Sequence, residues 1–132
     1  MLEIYSEREL IEKVSDENYL DKVCISIGDP DKSIHEIIQK SFKKILRLEF
    51  HDEYNLEGYK RDIKVPQKED IQKIIDFYNN NKTEDFVIHC HAGVSRSTAT
   101  GLIILYLMHN SIDAAGKELK KIRFQAMPNL RM

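Results

Sequence analysis

Nine consecutive residues, His89-Cys90-His91-Ala92-Gly93-Val94-Ser95-Arg96-Ser97, hold the side chains of this sequence best suited to chemistry. The run Phe86–His89 is short and apolar and reads as a strand, and a helix is expected from about Arg96 and Ser97. Cys90 therefore falls where a strand passes through a tight loop into a helix start. The first N–H groups of a helix have no internal partners and carry the positive end of its dipole, so such a start is an anion site. That field, with the Arg96 guanidinium, favours the thiolate, the nucleophilic form of cysteine. Gly93 lets the backbone turn so that loop amides converge on one centre. Arg96 can grip two anion oxygens with its planar fork, which a lysine cannot do. Ser97 can donate a hydrogen bond to the sulfur when a covalent intermediate breaks down. The chemistry this spacing describes is attack by Cys90 on a phosphoryl group whose oxygens are held by His91, Ala92, Gly93, Val94, Ser95 and Arg96.

Two plainer explanations compete. A bare cysteine and arginine at this spacing would be read as a buried thiol and a helix N-terminal residue, but the whole loop argues against that. A metal site is the other candidate, since His89, Cys90 and His91 are all ligand types. Neighbours in an extended chain point to opposite sides, and no second Cys/His pair completes a ligand set. No metal or other cofactor is expected, because Arg96 and the helix start supply the positive charge.

Displacing phosphate from an alkoxide or phenoxide also needs a proton on the leaving oxygen. The polar stretch from His51 to Val65 follows a strand end and carries Asp52, Glu53, Glu57 and Asp62. Its length in a compact domain points to function. Asp52 lies two residues past the strand end, nearest the rim where Cys90 belongs, and is the preferred general acid over the other three. His51, Tyr54 and Tyr59 are candidates for the rim of the cleft, Tyr59 equally for packing.

The elements that must position these residues alternate along the chain. Leu2–Tyr5 reads as a strand, and Ser6 with Glu9 has the spacing of a capping box for a helix carrying Leu10, Ile11 and Val14. Lys22–Ile27 is a β-branched, apolar strand stopped by Gly28-Asp29-Pro30. Ser33–Lys40 is a weak helical candidate and Ile45–Phe50 the next strand. Pro66 is expected to start a helix with Ile71, Ile74, Ile75 and Tyr78 on one face, ended by Asn79-Asn80-Asn81. The helix after the cysteine loop is apolar nearly all round and is expected in the middle of the fold. Ser111 caps a last helix with Ile112, Ala115, Leu119 and Ile122 facing inward. Alternating strands and helices give an α/β layer architecture with a largely parallel sheet. Ligands in such folds sit beyond the carboxyl ends of the strands, where the Cys90 loop and the stretch after Phe50 both fall.

Bulk properties narrow the class further. The chain has 132 residues, 42% of them hydrophobic, which fits one domain over residues 1–132 with a sizeable core. A formal charge of −2 and an isoelectric point near 6.2 argue against a nucleic-acid partner. The clusters Lys43-Lys44 and Lys117, Lys120, Lys121, Arg123 read as solvated helix faces. Met-Leu-Glu-Ile-Tyr-Ser-Glu is too acidic and polar for a signal peptide, and the longest apolar run, Gly101 to Met108, is too short to span a bilayer. A monomer in the reducing cytoplasm, with no membrane partner, is expected. Cys24, in the apolar run Val23–Ile27, reads as a core residue, and a role as resolving thiol for Cys90 has no support in the sequence.

His-Cys, five residues, Arg and Ser together form the signature of the protein tyrosine phosphatase superfamily, which this chain resembles. The segment Gly-Val-Ser-Arg-Ser is similar to the dual-specificity branch. Leu46–Asp52 and Pro128-Asn129 resemble segments of small bacterial and archaeal members, and the likeness runs at lower specificity from Val23 to the C-terminus. The resemblance implies a three-layer α/β/α fold with a short, mostly parallel central sheet. It implies phosphomonoester hydrolysis through a phosphocysteine, with Cys90 as nucleophile and Arg96 as clamp. Asp52 would act first as acid and then as base, since dual-specificity members carry an aspartate just after the corresponding strand. His89 would orient the loop by hydrogen bonding, and Asn129 would brace it from behind. The sequence has no Trp, so the Trp-Pro-Asp loop of larger tyrosine phosphatases is absent in literal form. Phosphoinositide-type relatives often carry basic residues in the loop, and there is no Lys among residues 91–95. A phosphorylated protein or peptide is therefore the expected substrate. The alternatives are the same chemistry on an inositol phosphate, a nucleotide or an RNA 5′-phosphate. A non-catalytic phosphate-binding module is disfavoured because Cys90 and Arg96 are both intact.

Overall fold

A computed structural model describes residues 1–51 and 64–128. The elements follow in the order β1 (Leu2–Ser6), α1 (Glu7–Asp16), β2 (Val23–Gly28), α2 (Glu36–Ser41), β3 (Lys44–Glu49), α3 (Lys68–Asn80), β4 (Phe86–Cys90), α4 (Arg96–His109) and α5 (Ile112–Ile122). The strands form one sheet in the order β1-β4-β2-β3, and every pairing is parallel. The two central strands, β2 and β4, are buried along nearly their whole length, as expected for parallel strands covered on both faces.

Alternation of side chains along the strands divides the molecule into three layers. On one face, Leu10 of α1 and Ile38 of α2 join Tyr19, Phe42, Cys24 and Val87 in one cluster. On the other, Ile74 of α3, Ile104 and Leu105 of α4, and Ala115 and Leu119 of α5 pack with Ile4, Ile25, Ile27, Leu48 and Ile88. Each buried aliphatic side chain contributes about 1.5–3 kcal/mol relative to exposure. The architecture is thus the α/β/α arrangement expected from the sequence, with a wholly parallel sheet. Among the described residues, no helix is long and apolar enough to cross a membrane.

Several local expectations are corrected. Helix α3 starts at Lys68 with a capping box between Gln67 and Asp70, so Pro66 precedes the helix instead of opening it. The weak helix near residue 33 is a short α2 from Glu36, capped by the His35 side chain. Helix α4 is buried through Arg96–Gly101 and at Ile104 and Leu105, but Tyr106 and Met108 are exposed near its end. Ile112 is exposed as well, since it stands at the first position of α5, before the turn that packs. Arg123 is the most consequential change. It is buried and lies at the C-cap of α5, not on a solvated helix face.

Candidate active site

Cys90 ends β4 at the centre of the sheet, and residues 91–95 carry the chain to the start of α4 at Arg96. The Cys90 Sγ accepts a hydrogen bond from the Gly93 N–H at 3.2 Å, and its thiol donates to the Ser97 hydroxyl oxygen at 3.1 Å. Were the sulfur to lose its proton, rotation of the Ser97 hydroxyl would add a second donor to that of Gly93. Gly93 has φ +70°, and a Cβ there would stand 2.6 Å from Ser6 N and 2.8 Å from the Tyr5 carbonyl carbon. Both the turn and the close approach of β1 require glycine at this position.

The loop carbonyls are gripped from outside. His91 O accepts from the Glu7 N–H at 3.2 Å and Val94 O from the Met127 N–H at 2.8 Å. Gly93 O accepts from Arg123 Nε at 2.6 Å. In a planar trans peptide the N–H points opposite to its C=O. Holding the His91 and Gly93 carbonyls outward therefore turns the Ala92 and Val94 amides inward, toward the space in front of Cys90. This is the geometry of an anion nest.

Arg96 is held in place before any anion arrives. Its Nη1 donates to Asp29 Oδ1 at 2.9 Å and to the Phe50 carbonyl at 3.0 Å, and the side chain is only 6% exposed. Its Nε is buried with no hydrogen-bond partner among the described residues. A buried guanidinium N–H without an acceptor is costly, and an anion oxygen at the Nε–Nη2 edge would supply one.

Behind the nucleophile runs a polar row across three strands. Arg47, Ser26 and His89 are register partners on β3, β2 and β4. Arg47 Nη1 donates to Ser26 Oγ at 2.8 Å, and Ser26 Oγ lies 2.7 Å from His89 Nε2. The arginine can only donate, so the Ser26 hydroxyl is free to donate to Nε2 in the neutral tautomer that carries its proton on Nδ1. That nitrogen faces the Cys90 backbone without a hydrogen bond of good geometry. Burial pushes the imidazole down to about 4, and the Arg47 and Arg96 charges add to the effect.

A cavity of about 270 Å³ opens beside Arg96, lined among others by Asp29, Lys32, Arg47 and His91. The His91 side chain itself is exposed, 3.9 Å from the Glu7 carboxylate. Of the residues expected from the sequence, Cys90, Arg96, Ser97 and the backbone of 91–95 come together. His89 stands behind them. Asp52, with Glu53, Glu57, Asp62, Tyr54, Tyr59 and Asn129, lies outside the described residues. Sequence reasoning missed Asp29, Ser26, Arg47, Glu9 and Arg123 as parts of the site. Asp29 had a usable signal, since Gly28-Asp29-Pro30 ends β2 at the carboxyl edge of the sheet, where ligands bind. Arg123 and Glu9 had none, because their contact spans 114 positions of sequence.

No protein-family model and no curated protein matches this sequence. Solved structures do match. Tk-PTP in its active form shares 21% identity over 95% of this chain and 79% of its own, with a TM-score of 0.57. DUSP15 shares 19% over 98% of this chain and 76% of its own, with a TM-score of 0.68. PTPMT1 in complex with PI(5)P shares 20% over 98% and 81%, with a TM-score of 0.62. At these identities the likeness is one of fold: the chain has the fold of the dual-specificity and tyrosine phosphatases.

Proposed function

We propose that this protein hydrolyses phosphomonoesters through a phosphocysteine at Cys90, with phosphorylated proteins or peptides as substrates. One observation carries the reading. A cysteine sulfur hydrogen-bonded to the Gly93 amide and the Ser97 hydroxyl lies in a loop whose amides turn inward, beside a pre-anchored arginine whose buried Nε–H has no partner among the described residues. The Cys90 thiolate attacks phosphorus in line with the ester oxygen, forming the S–P bond as the P–O bond breaks. Loop amides and the Nε–Nη2 edge of Arg96 hold the equatorial oxygens, whose charge is stabilised most in the transition state. Asp52 is the proposed donor of the proton to the leaving oxygen. It then takes a proton from the water that attacks the phosphocysteine, and the Ser97 hydroxyl supports the departing sulfur. The site is assigned to Cys90, Arg96, Asp52 and Ser97, with His91–Ser95 as the phosphate cradle and no metal in the cycle.

The cavity beside Arg96 favours one second reading. Lys32 and Arg47 on its wall could meet a further phosphate of an inositol phosphate or lipid headgroup, and PTPMT1 was solved with PI(5)P. Glu7 and Asp29 on the same wall balance that charge, so the phosphoprotein reading stands first.

Turnover of an aryl phosphate in the presence of EDTA tests the reaction. The wild type should be active, and Cys90→Ser should lose at least about 10⁴-fold in kcat/KM. Wild-type rates in Cys90→Ser would refute the mechanism. Parallel assays with phosphopeptides and inositol phosphates then separate the two substrate classes.

A further inference from the structure

We propose that Arg123 and Glu9 form a positioning pair that sets the phosphate loop from its rear face, an inference that rests on the loop being the anion site. Arg123 is 8% exposed, and its guanidinium makes three hydrogen bonds to three separate segments. Nε donates to Gly93 O at 2.6 Å, Nη1 to Ile4 O at 3.2 Å and Nη2 to Glu9 Oε1 at 2.7 Å. Glu9 is itself fixed. Its Oε1 also accepts the Ser6 N–H at 2.8 Å, while the Glu9 N–H donates back to Ser6 Oγ at 3.1 Å. The capping box of α1 thus does a second job: it holds the carboxylate that orients Arg123. The guanidinium also lowers the Glu9 carboxyl from its ordinary range.

The consequence reaches the anion through one peptide plane. Arg123 pulls the Gly93 carbonyl outward, and the Val94 N–H of the same plane is thereby aimed inward. Gly93 is the flexible point of the loop, the one glycine with positive φ among the described residues, and without a restraint its flanking peptides could rotate at little cost. Arg123 supplies that restraint at a place where a Cβ would lie 2.7 Å from its Nη2. The arginine touches no reacting atom. It acts through the orientation of a backbone donor.

Position and charge make opposite predictions for Glu9, which gives the test its edge. If the pair mattered only through its field, removing the Glu9 charge would strengthen anion binding. If Glu9 holds Arg123 in place, removing its oxygens weakens binding, and Glu9→Gln, which keeps an acceptor oxygen, restores it. The probe is tungstate, a tetrahedral oxyanion, titrated calorimetrically into the full chain, beside kcat and KM for an aryl phosphate. Arg123→Met is expected to weaken tungstate binding and kcat/KM together, by about 100-fold, the scale of losing one oriented donor. Glu9→Ala should cost about 10-fold in tungstate affinity, and Glu9→Gln should stay within about threefold of wild type. Unchanged or tighter binding in both Glu9 variants would overturn the proposal, and so would wild-type affinity in a folded Arg123→Met. Should Arg123→Met fail to fold, the Glu9 pair decides alone. A wild type that binds tungstate without turning over phosphate would sink the proposed reaction but not the brace. A wild type that does not bind tungstate would sink both.

Discussion

Cys24 and Cys90 lie on the two central strands of the same sheet, 0% and 2% exposed, and yet their surroundings differ in kind. Cys24 points into the layer of α1 and α2 among Leu10, Ile38, Phe42 and Val87. Burial there pushes its thiol up. Cys90 belongs to the opposite cluster and stands at the strand's end, where an amide donates to it and a hydroxyl accepts from it. Exclusion from water alone makes a thiol inert. What distinguishes Cys90 is its place at the carboxyl end of a central parallel strand, where backbone donors are left over. Facing opposite layers, the two cannot join in a disulfide without dismantling the sheet.

The sharpest way to break this contrast is alkylation. Iodoacetate at neutral pH should modify Cys90 at least about 100-fold faster than Cys24, and tungstate should protect Cys90. Peptide mass spectrometry reads both rates, and equal labelling would abolish the distinction. Next in size is the anchor of Arg96. Asp29→Ala frees Nη1 from its carboxylate and should lower kcat/KM for an aryl phosphate by about 30-fold, carried mainly by kcat. Ser97→Ala removes the hydroxyl that is hydrogen-bonded to the Cys90 sulfur. It should slow steady-state turnover by about 10-fold while sparing the first turnover, so that stopped-flow traces show a burst. The last effect is on stability and belongs to the quiet face. His89, held at about 4 by burial against an ordinary 6.5, takes up its proton in the unfolded chain before the folded one. Stability therefore falls as pH drops from about 6.5 toward 4, by about 2 kcal/mol at pH 5. Ser26→Ala removes the hydrogen bond between Ser26 and Nε2 and should change the depth of that dependence, measured by urea melts at pH 7 and pH 5.

Most of this was legible where the determinants are local. Ser6 and Glu9 announce the start of α1 through side chains three residues apart, and the structure contains that capping box. The run Val23–Ile27 reads as a buried strand because four of its five residues are apolar and three of them are β-branched. The cysteine loop reads as an anion site because thiol, glycine and arginine fall within nine residues. Legibility failed where one side chain serves two elements far apart in sequence. Arg123 follows Lys120 and Lys121, and nothing local distinguishes it from them. Only the fold brings it beside Gly93 and Glu9. The row Arg47-Ser26-His89 was hidden for the same reason, since strand register decides which polar residues become neighbours.

The grip on the Gly93 carbonyl also has a consequence in time. Residues 4 and 9 leave the ribosome early, residue 93 late, and residue 123 later still, yet all four meet at one guanidinium. Chain closure over such separations is slow compared with forming local turns. A nascent chain ending before Arg123 can hold its nucleophile and its sheet while the cradle in front of the sulfur is still loose. Of the four residues that set this part of the cradle, the one that joins the other three is made last.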